Sequence, residues 1–472
     1  MAGKKESSDE PAEKKPRSLK ARTDAGSQIS ASLSRQLFDV RKILSDVPTL
    51  TSTQDILGAM NARRIIESAG LTNLQDIMRP AMQNYLDIVN GPMQEIMRSQ
   101  FGPTGAITEM LSQIRTLNLS RPSIHSLPSH NTAYSDDFTS PDDYFSPHEI
   151  VIDSFDELHK VIQSLIRRNP TLEFLWRGQQ DASWGLHSSL YRRLMQKQKV
   201  RPADKKHRIE EPYPTEDDMV EAEEAILKLA RVDWRFDDLS ALETFARLQH
   251  FGAPTRLIDV SRNPFIAAWF AVEASSLHDK SDGRLFATAT YPVLPVEKQQ
   301  EAENLTQVRG ELARTYLPFW HLAKSPEDRA DIEWGTGTIR RFWVPPLYEQ
   351  RILAQNGCFL LDGVPIGVQQ NAGYFKRKGE GNRSWRKADL LASGSIFTKL
   401  YDPARAVRTN KKRAFPPTFT FRITAEAKVE IRRVLEERFS YSASTMYPDI
   451  EGLAKHLHSH LDEIIVSTPA SS

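Results

Sequence analysis

The sequence predicts an α+β protein in which a mixed α/β C-terminal domain follows an all-helical N-terminal region. Two observations support this fold class. In residues 31–118 apolar side chains recur at spacings of three and four, which is the helical period. In residues 149–462 short apolar segments of strand type intermingle with helical segments. They lack the strand–helix–strand rhythm of a doubly wound sheet, which favours an α+β arrangement.

The composition of the 472 residues limits the classes of function. A net charge of +1 excludes a globally basic nucleic-acid-binding protein. Cys358 is the single cysteine, so no disulfide forms within the chain, and its apolar neighbourhood favours a buried side chain. We find neither a signal peptide nor an apolar run of about 18 residues, the length that crosses a membrane. We therefore expect a cytoplasmic protein with no membrane partner.

Shifts in composition divide the chain into five segments. Residues 1–30 are rich in Ser, Lys, Glu and Pro and predict a disordered tail, and residues 463–472 predict a second one. Residues 31–118 predict a helical N-terminal unit. Residues 119–148 place prolines among polar side chains, which is typical of a linker. Residues 149–462 form the C-terminal domain.

The N-terminal unit carries amphipathic helices with many methionines. Leu33, Leu37, Val40 and Leu44 follow the helical period. We interpret this unit as packing against the rest of the protein or as a surface for self-association. An adaptable methionine-rich groove for a partner is the alternative.

The first elements of the C-terminal domain are predicted from capping signals and strand alternation. Ser154 and Glu157 form a capping box before a helix, and Leu172–Trp176 alternates as a strand that ends at Arg177. Ser240 is a candidate N-cap for a helix that ends near His250.

The stretch from Leu248 to Ala271 joins two apolar helices through a polar loop. Leu257–Val260 is a short buried strand, and Asn263 with Pro264 begins the second helix. Further strands are predicted at 284–291, 342–344 and 419–423, and a helix at 425–439. The polar loop between buried elements is either a hydrogen-bonded brace or a binding site.

Four ordered parts of the C-terminal domain resemble the motifs of the FRG domain family, which is named for its Phe-Arg-Gly core. These parts are Leu172–Gln179, Gln249–Asp259 with the apolar Ala267–Ala271, Gln350–Phe359, and Tyr447–Ala454. FRG proteins are often met in defence against phage and in growth control. The resemblance therefore implies a toxin-like effector with these roles.

The polar side chains of the motifs indicate a site for a nucleotide-like ligand. An arginine at a strand end suits a phosphate or pyrophosphate, and a histidine, a hydroxyl and an amide suit ribose or nicotinamide. The predicted ligand-binding residues are Arg177, Gln179, Thr255, Arg256 and Gln355. The predicted catalytic residues are His250, Asp259 and Glu349, since a carboxylate stabilises an oxocarbenium-like transition state.

These residue types are those of an ADP-ribosyltransferase, to which the Arg-Gly pair and the Ala-Trp-Phe-Ala segment are loosely similar. We therefore expect NAD as a substrate, a protein or nucleic acid as acceptor, and no metal, because the histidines are dispersed. In one alternative, Arg256 pairs with Asp259 and the domain is a non-catalytic sensing or scaffolding module. In another, a basic loop binds nucleic acid through Lys376, Arg377, Lys378, Arg383, Arg386 and Lys387.

Overall fold

The fold is that of a computed structural model, which describes residues 109–114, 134–200, 213–346, 350–366, 375–378, 383–408, 415–454 and 456–457. All of these residues fall within one compact unit, residues 96–472. The predicted tails and most of the predicted N-terminal helical unit lie outside the described residues. Residues 109–114 are helical, and Met110 and Ile114 are buried in the core of the C-terminal domain.

A mixed nine-stranded sheet forms the centre of the described part of the chain. Its strands are β1 (Ile150–Ile152), β2 (Phe174–Gln179), β3 (Ile258–Ser261), β4 (Gly283–Ala289), β5 (Gln307–Val308), β6 (Arg341–Trp343), β7 (Gly357–Leu361), β8 (Lys399–Leu400) and β9 (Pro417–Ile423). The spatial order is β1-β9-β4-β2-β3-β7-β6-β5, and β8 pairs with β9 outside this path. The pairs of β1 with β9, β5 with β6 and β8 with β9 are parallel, and the others are antiparallel.

Helices cover the sheet. They are α1 (Pro141–Phe145), α2 (Phe155–Arg168), α3 (Ser189–Lys197), α4 (Glu216–Lys228), α5 (Ala241–His250), α6 (Pro264–Val272), α7 (Val296–Thr306), α8 (Pro326–Asp331), α9 (Gln350–Ala354), α10 (Lys387–Ser393), α11 (Ala425–Phe439) and α12 (Ala443–Met446). A π-helical turn, Leu229–Asp233, follows α4 directly. Helices combined with a mixed sheet confirm the α+β prediction for the C-terminal domain.

Two hydrophobic cores lie on opposite faces of the sheet because strand side chains alternate. Leu285 and Ala287 of β4 belong to one core, whereas Phe286 between them belongs to the other. In β2, Trp176 and Leu175 separate in the same way. Both faces of the central strands are therefore buried, which explains their nearly continuous apolar sequence.

Local sequence signals fix the starts of several helices. The hydroxyls of Ser154 and Ser240 accept hydrogen bonds from the backbone N–H groups three residues on. Asn263 caps α6, whose first residue is Pro264. These side chains satisfy N–H groups that have no partner within the helix, so the predicted helix starts are confirmed.

The described part of the predicted linker packs against the domain. Tyr134, Phe138, Tyr144 and Phe145 are buried in the second core. The carboxylate of Asp142 in α1 accepts hydrogen bonds from two arginines of the sheet, Arg284 and Arg422. Aromatic side chains among the polar residues of this segment thus supply packing.

Among the described residues, no helix is both long and apolar enough to span a membrane.

Candidate functional site

A cleft of about 1000 Å³ opens beside the C-terminal end of β2. Its wall is built from parts of the chain that lie far apart in sequence: the end of β2, α3, the end of α5, β3, α6, α9 with the residue after it, and the residue after α12. Five of the predicted ligand-binding and catalytic residues line it, namely Arg177, Gln179, His250, Asp259 and Gln355. This volume is large enough for a dinucleotide-sized ligand.

The cleft begins where β2 and β3 separate. These strands pair through a single residue pair, Trp176 with Ser261. Beyond that pair the guanidinium of Arg177 spans the gap, with Nη1 donating to the backbone carbonyl of Asp259 at 2.6 Å. The Asp259 carboxylate lies 3.9 Å from the same nitrogen. Arg177 therefore lies at the inner end of the cleft between two strands.

Arg177 keeps hydrogen-bonding capacity that the described residues do not use. Its Nε is buried without a hydrogen-bond partner in the described part of the chain. Nη2 makes no hydrogen bond to a described residue, and about 20% of the side chain remains exposed. Burial lowers the pKa of the guanidinium, and Asp259 opposes that shift. An incompletely paired guanidinium in a cleft is a natural anion-binding group.

Gly178 allows β2 and α6 to pack closely. A Cβ at this position would lie 1.9 Å from the carbonyl oxygen of Ala267 and 2.6 Å from the backbone nitrogen of Ala271. The glycine of the Arg-Gly pair is thus required for strand–helix contact. Gln179, the next residue, donates from Nε2 to the carbonyl of Gly185 at 3.1 Å, and its buried Oε1 has no partner among the described residues.

A hydrogen-bond relay positions Asp259. The hydroxyl of Thr255 donates to Oε1 of Gln249. Nε2 of Gln249 then donates to Oδ1 of Asp259 at 2.7 Å. Thr255 is buried beneath the cleft and does not line it. Its effect on the site therefore passes through Gln249, while the Asp259 side chain, 65% exposed, faces solvent.

His250 lies next to carboxylates of the C-terminal motif. Its Nε2 is 3.8 Å from Oδ2 of Asp449 and 3.9 Å from Oε2 of Glu451. Asp449 also forms a two-pronged ion pair with Arg351, with both N–O distances 2.9 Å. These contacts join α5, α9 and the segment after α12 at one side of the cleft.

Two further cleft residues, Glu273 and Tyr447, are outside the sites predicted from the sequence. Tyr447 donates from its hydroxyl to Oε2 of Glu273 at 3.1 Å. Burial and the Glu273 carboxylate raise the pKa of Tyr447, so the hydroxyl keeps its proton. Gln355 anchors the segment before Tyr447 by donating to the carbonyl of Met446 at 3.0 Å. A carboxylate directly after the apolar helix α6 was the sequence signal for Glu273.

Arg256 is placed away from the cleft in a buried ion-pair network. Its guanidinium donates to Glu223 at 2.6 and 3.1 Å and to Glu216 at 3.0 Å. It also lies over Trp320 and Trp334, whose rings are stacked. Burial raises the pKa of Glu223, but Arg256 and a hydrogen bond from His321 outweigh that effect and lower it to about 2. Arg256 thus braces α4 against the loops, and its partners are not Asp259.

Glu349 lies outside the described residues. Burial raises the pKa of the Cys358 thiol to about 12, so this side chain is no nucleophile at neutral pH. Across the ranges that the structure describes, no group of three His, Cys, Asp or Glu side chains is arranged to hold a metal ion.

Several cationic side chains of the basic loop that was predicted to bind nucleic acid contact other parts of the protein. Arg377 pairs with Asp137 and lies over the ring of Trp385. Arg386 donates to the backbone carbonyl of Tyr134. Burial lowers the pKa of Lys387. These contacts engage Arg377 and Arg386 within the protein, and nucleic-acid binding by this loop stays a prediction.

The chain carries an FRG domain, because the family model of that domain matches residues 172–280. The match includes β2, α5, β3 and α6, and therefore Arg177, His250 and Asp259. Comparison with curated proteins and with solved structures gives no match. Arg351, Gln355 and Tyr447 lie beyond the matched residues but line the same cleft.

Proposed function

We propose that the FRG domain binds a nucleotide-like ligand in the cleft and transfers ADP-ribose from NAD to an acceptor. The observation that carries this proposal is the state of Arg177. Its guanidinium faces a cleft of about 1000 Å³ and donates one close hydrogen bond to the described residues. A pyrophosphate offers acceptor oxygens for the remaining N–H groups of such a guanidinium.

The other polar residues of the cleft suit the rest of a dinucleotide. Arg192 is an exposed second cation on the same wall and is held by its bond to the His187 carbonyl at 2.8 Å. Gln179 carries a buried amide oxygen without a partner in the described part of the chain. An unsatisfied buried acceptor favours a ligand that brings an N–H group, such as an amide.

The proposed reaction breaks the bond between C1′ of the ribose and the nicotinamide nitrogen. Nicotinamide leaves with the bonding electron pair, an acceptor oxygen or nitrogen bonds to C1′, and the proton of the acceptor passes to solvent water. Positive charge develops on the ribose ring in the transition state. Asp259, held by Gln249 beside Arg177, supplies a carboxylate to stabilise that charge. The acceptor class is protein or nucleic acid, and consumption of NAD suits a toxin-like effector in phage defence or growth control.

One observation favours a second candidate, a ligand sensor without catalysis. The cleft carboxylates Asp259 and Glu273 both accept hydrogen bonds from protein donors, Gln249 and Tyr447. Carboxylates held in this way are also suited to position a ligand without any reaction. Binding of NAD without product formation is the result that this candidate predicts.

The test is incubation of the purified full-length protein with NAD and a cell lysate. We expect release of nicotinamide and labelling of an acceptor by the wild-type protein. The Asp259→Asn variant keeps the bond from Gln249 through its amide oxygen and removes the charge, so its rate should fall by at least about tenfold. Equal rates for the two proteins would contradict the role of Asp259. NAD binding without nicotinamide release would contradict the transferase and support the ligand sensor.

A further inference from the structure

Trp184 is an exposed tryptophan on the wall of the cleft. It lines the same cavity as Arg177 and Arg192, and 42% of its surface is exposed. Its position on the cleft wall makes this apolar surface available to a molecule that enters the cleft.

The turn that carries Trp184 is held by hydrogen bonds on both sides. The backbone N–H of Ala182 donates to the carbonyl of Asp282 at 2.7 Å, and the Ala182 carbonyl accepts from Arg284. Gln179 holds the carbonyl of Gly185 at 3.1 Å. The exposed ring therefore stands on a braced turn, which lowers the entropy lost when a ligand packs against it.

His278 packs against the indole ring of Trp184. The two ring centroids are 4.9 Å apart at an interplanar angle of 80°, an edge-to-face contact. Nδ1 of His278 lies 3.6 Å from the Asp181 carboxylate, and its backbone carbonyl accepts from Lys428 at 2.8 Å. These contacts hold His278 against the indole.

From these contacts we propose that Trp184 is the stacking platform for a nucleobase, so that the cleft takes nucleotides in preference to sugar phosphates or pyrophosphate alone. This inference rests on the proposed function, because Arg177 would hold the phosphates of the same ligand. An exposed indole on the wall of a cleft that also carries cationic side chains is the combination by which proteins hold a base and its backbone phosphates. The base contributes affinity through its π face, and the arginines contribute affinity for the phosphates.

The experiment measures the Kd of ADP and of inorganic pyrophosphate by calorimetry for the full-length wild type and variants. Wild type should bind ADP more tightly than pyrophosphate. Trp184→Ala should weaken ADP by about 10- to 100-fold, the range of alanine substitutions at base-stacking aromatics, and leave pyrophosphate unchanged. Trp184→Phe should retain most of the ADP affinity, and Trp184→Leu should lose it, since leucine keeps apolar bulk without a π face.

Trp234→Ala is the matched control, because this tryptophan is 62% exposed and does not line the cleft. It should bind both ligands as wild type does.

The proposal is overturned if Trp184→Leu or Trp184→Ala binds ADP like wild type. It is also overturned if Trp184→Ala weakens ADP and pyrophosphate equally, which would mean a change in cleft shape. Wild type that binds neither ligand would instead refute the proposed function, whereas pyrophosphate binding with no gain for ADP would refute stacking alone.

Discussion

Arg177 and Arg256 show how the same residue type takes opposite roles through its partners. Arg256 is surrounded by the carboxylates of Glu216 and Glu223, all of them almost fully buried. Arg177 has a backbone carbonyl as its close partner and a carboxylate at 3.9 Å. Removal of Arg256 takes the guanidinium away from two buried carboxylates, whereas removal of Arg177 leaves one backbone carbonyl and one exposed carboxylate.

Arg256→Ala should therefore destabilise the protein strongly. Loss of one partner from a buried ion pair costs about 3–5 kcal/mol, because the remaining charge stays out of water. Chemical denaturation monitored by circular dichroism measures this difference in the free energy of unfolding. Arg247→Ala, a change at an exposed residue of α5, is the control and should stay close to wild type. An Arg256→Ala protein as stable as wild type would contradict the brace.

At the residue scale the sequence predicted five of the residues that line the cleft, but it wrongly placed Arg256 there and did not predict its partners. The motif residues Arg177, Gln179, His250 and Gln355 line one cleft. The partners of Arg256 lie 33 and 40 residues earlier in the chain, in a helix with many acidic residues. Spacing along the chain carries no information about such a long-range pair, whereas Asp259, three residues away, was the local alternative.

At the scale of the elements, contact between β2 and α6 depends on Gly178. The backbone of α6 comes so near that a methyl group would overlap the carbonyl oxygen of Ala267. This contact places the FRG motif on β2 directly against the apolar helix of the second motif. The cleft residues Arg177 and Phe270 are therefore carried by two elements in direct backbone contact.

Gly178→Ala should lower the melting temperature. Either the strand or the helix must shift, and overpacking of this kind costs about 1–3 kcal/mol. Gly357→Ala in β7 is a matched control, since its added Cβ would meet no atom closer than 3.6 Å. Calorimetric melts of both variants compare the two glycines, and equal melting temperatures would refute the close-packing role.

Capping residues and strand alternation predicted the elements well because both signals are local. Ser240, Asn263 and the apolar alternation around residues 419–423 all precede or occupy the elements they predict. The order of the strands could not be predicted in this way. Placing β2 between β4 and β3 depends on contacts between segments more than 80 residues apart, as in the bond from Arg177 to Asp259.

On the scale of the whole molecule, the C-terminal motif completes a cleft that begins in the matched FRG segment. Arg351 and Asp449 join α9 to the residues after α12, and Tyr447 reaches back to Glu273 at the end of α6. Four regions separated by up to about 270 residues thus form one site. Such convergence favours a shared ligand over four independent structural roles.

The measurement that tests this account most directly is pyrophosphate and NAD binding by Arg177→Ala beside its thermal melt. We predict a melting temperature within a few degrees of wild type and a loss of binding of at least about tenfold, because the guanidinium serves a ligand. Arg177→Lys should keep the melt and recover only part of the affinity, since lysine lacks the planar fork. A melt lowered by many degrees in both variants, with no ligand bound by wild type, would show that Arg177 is a brace like Arg256 and would contradict the account.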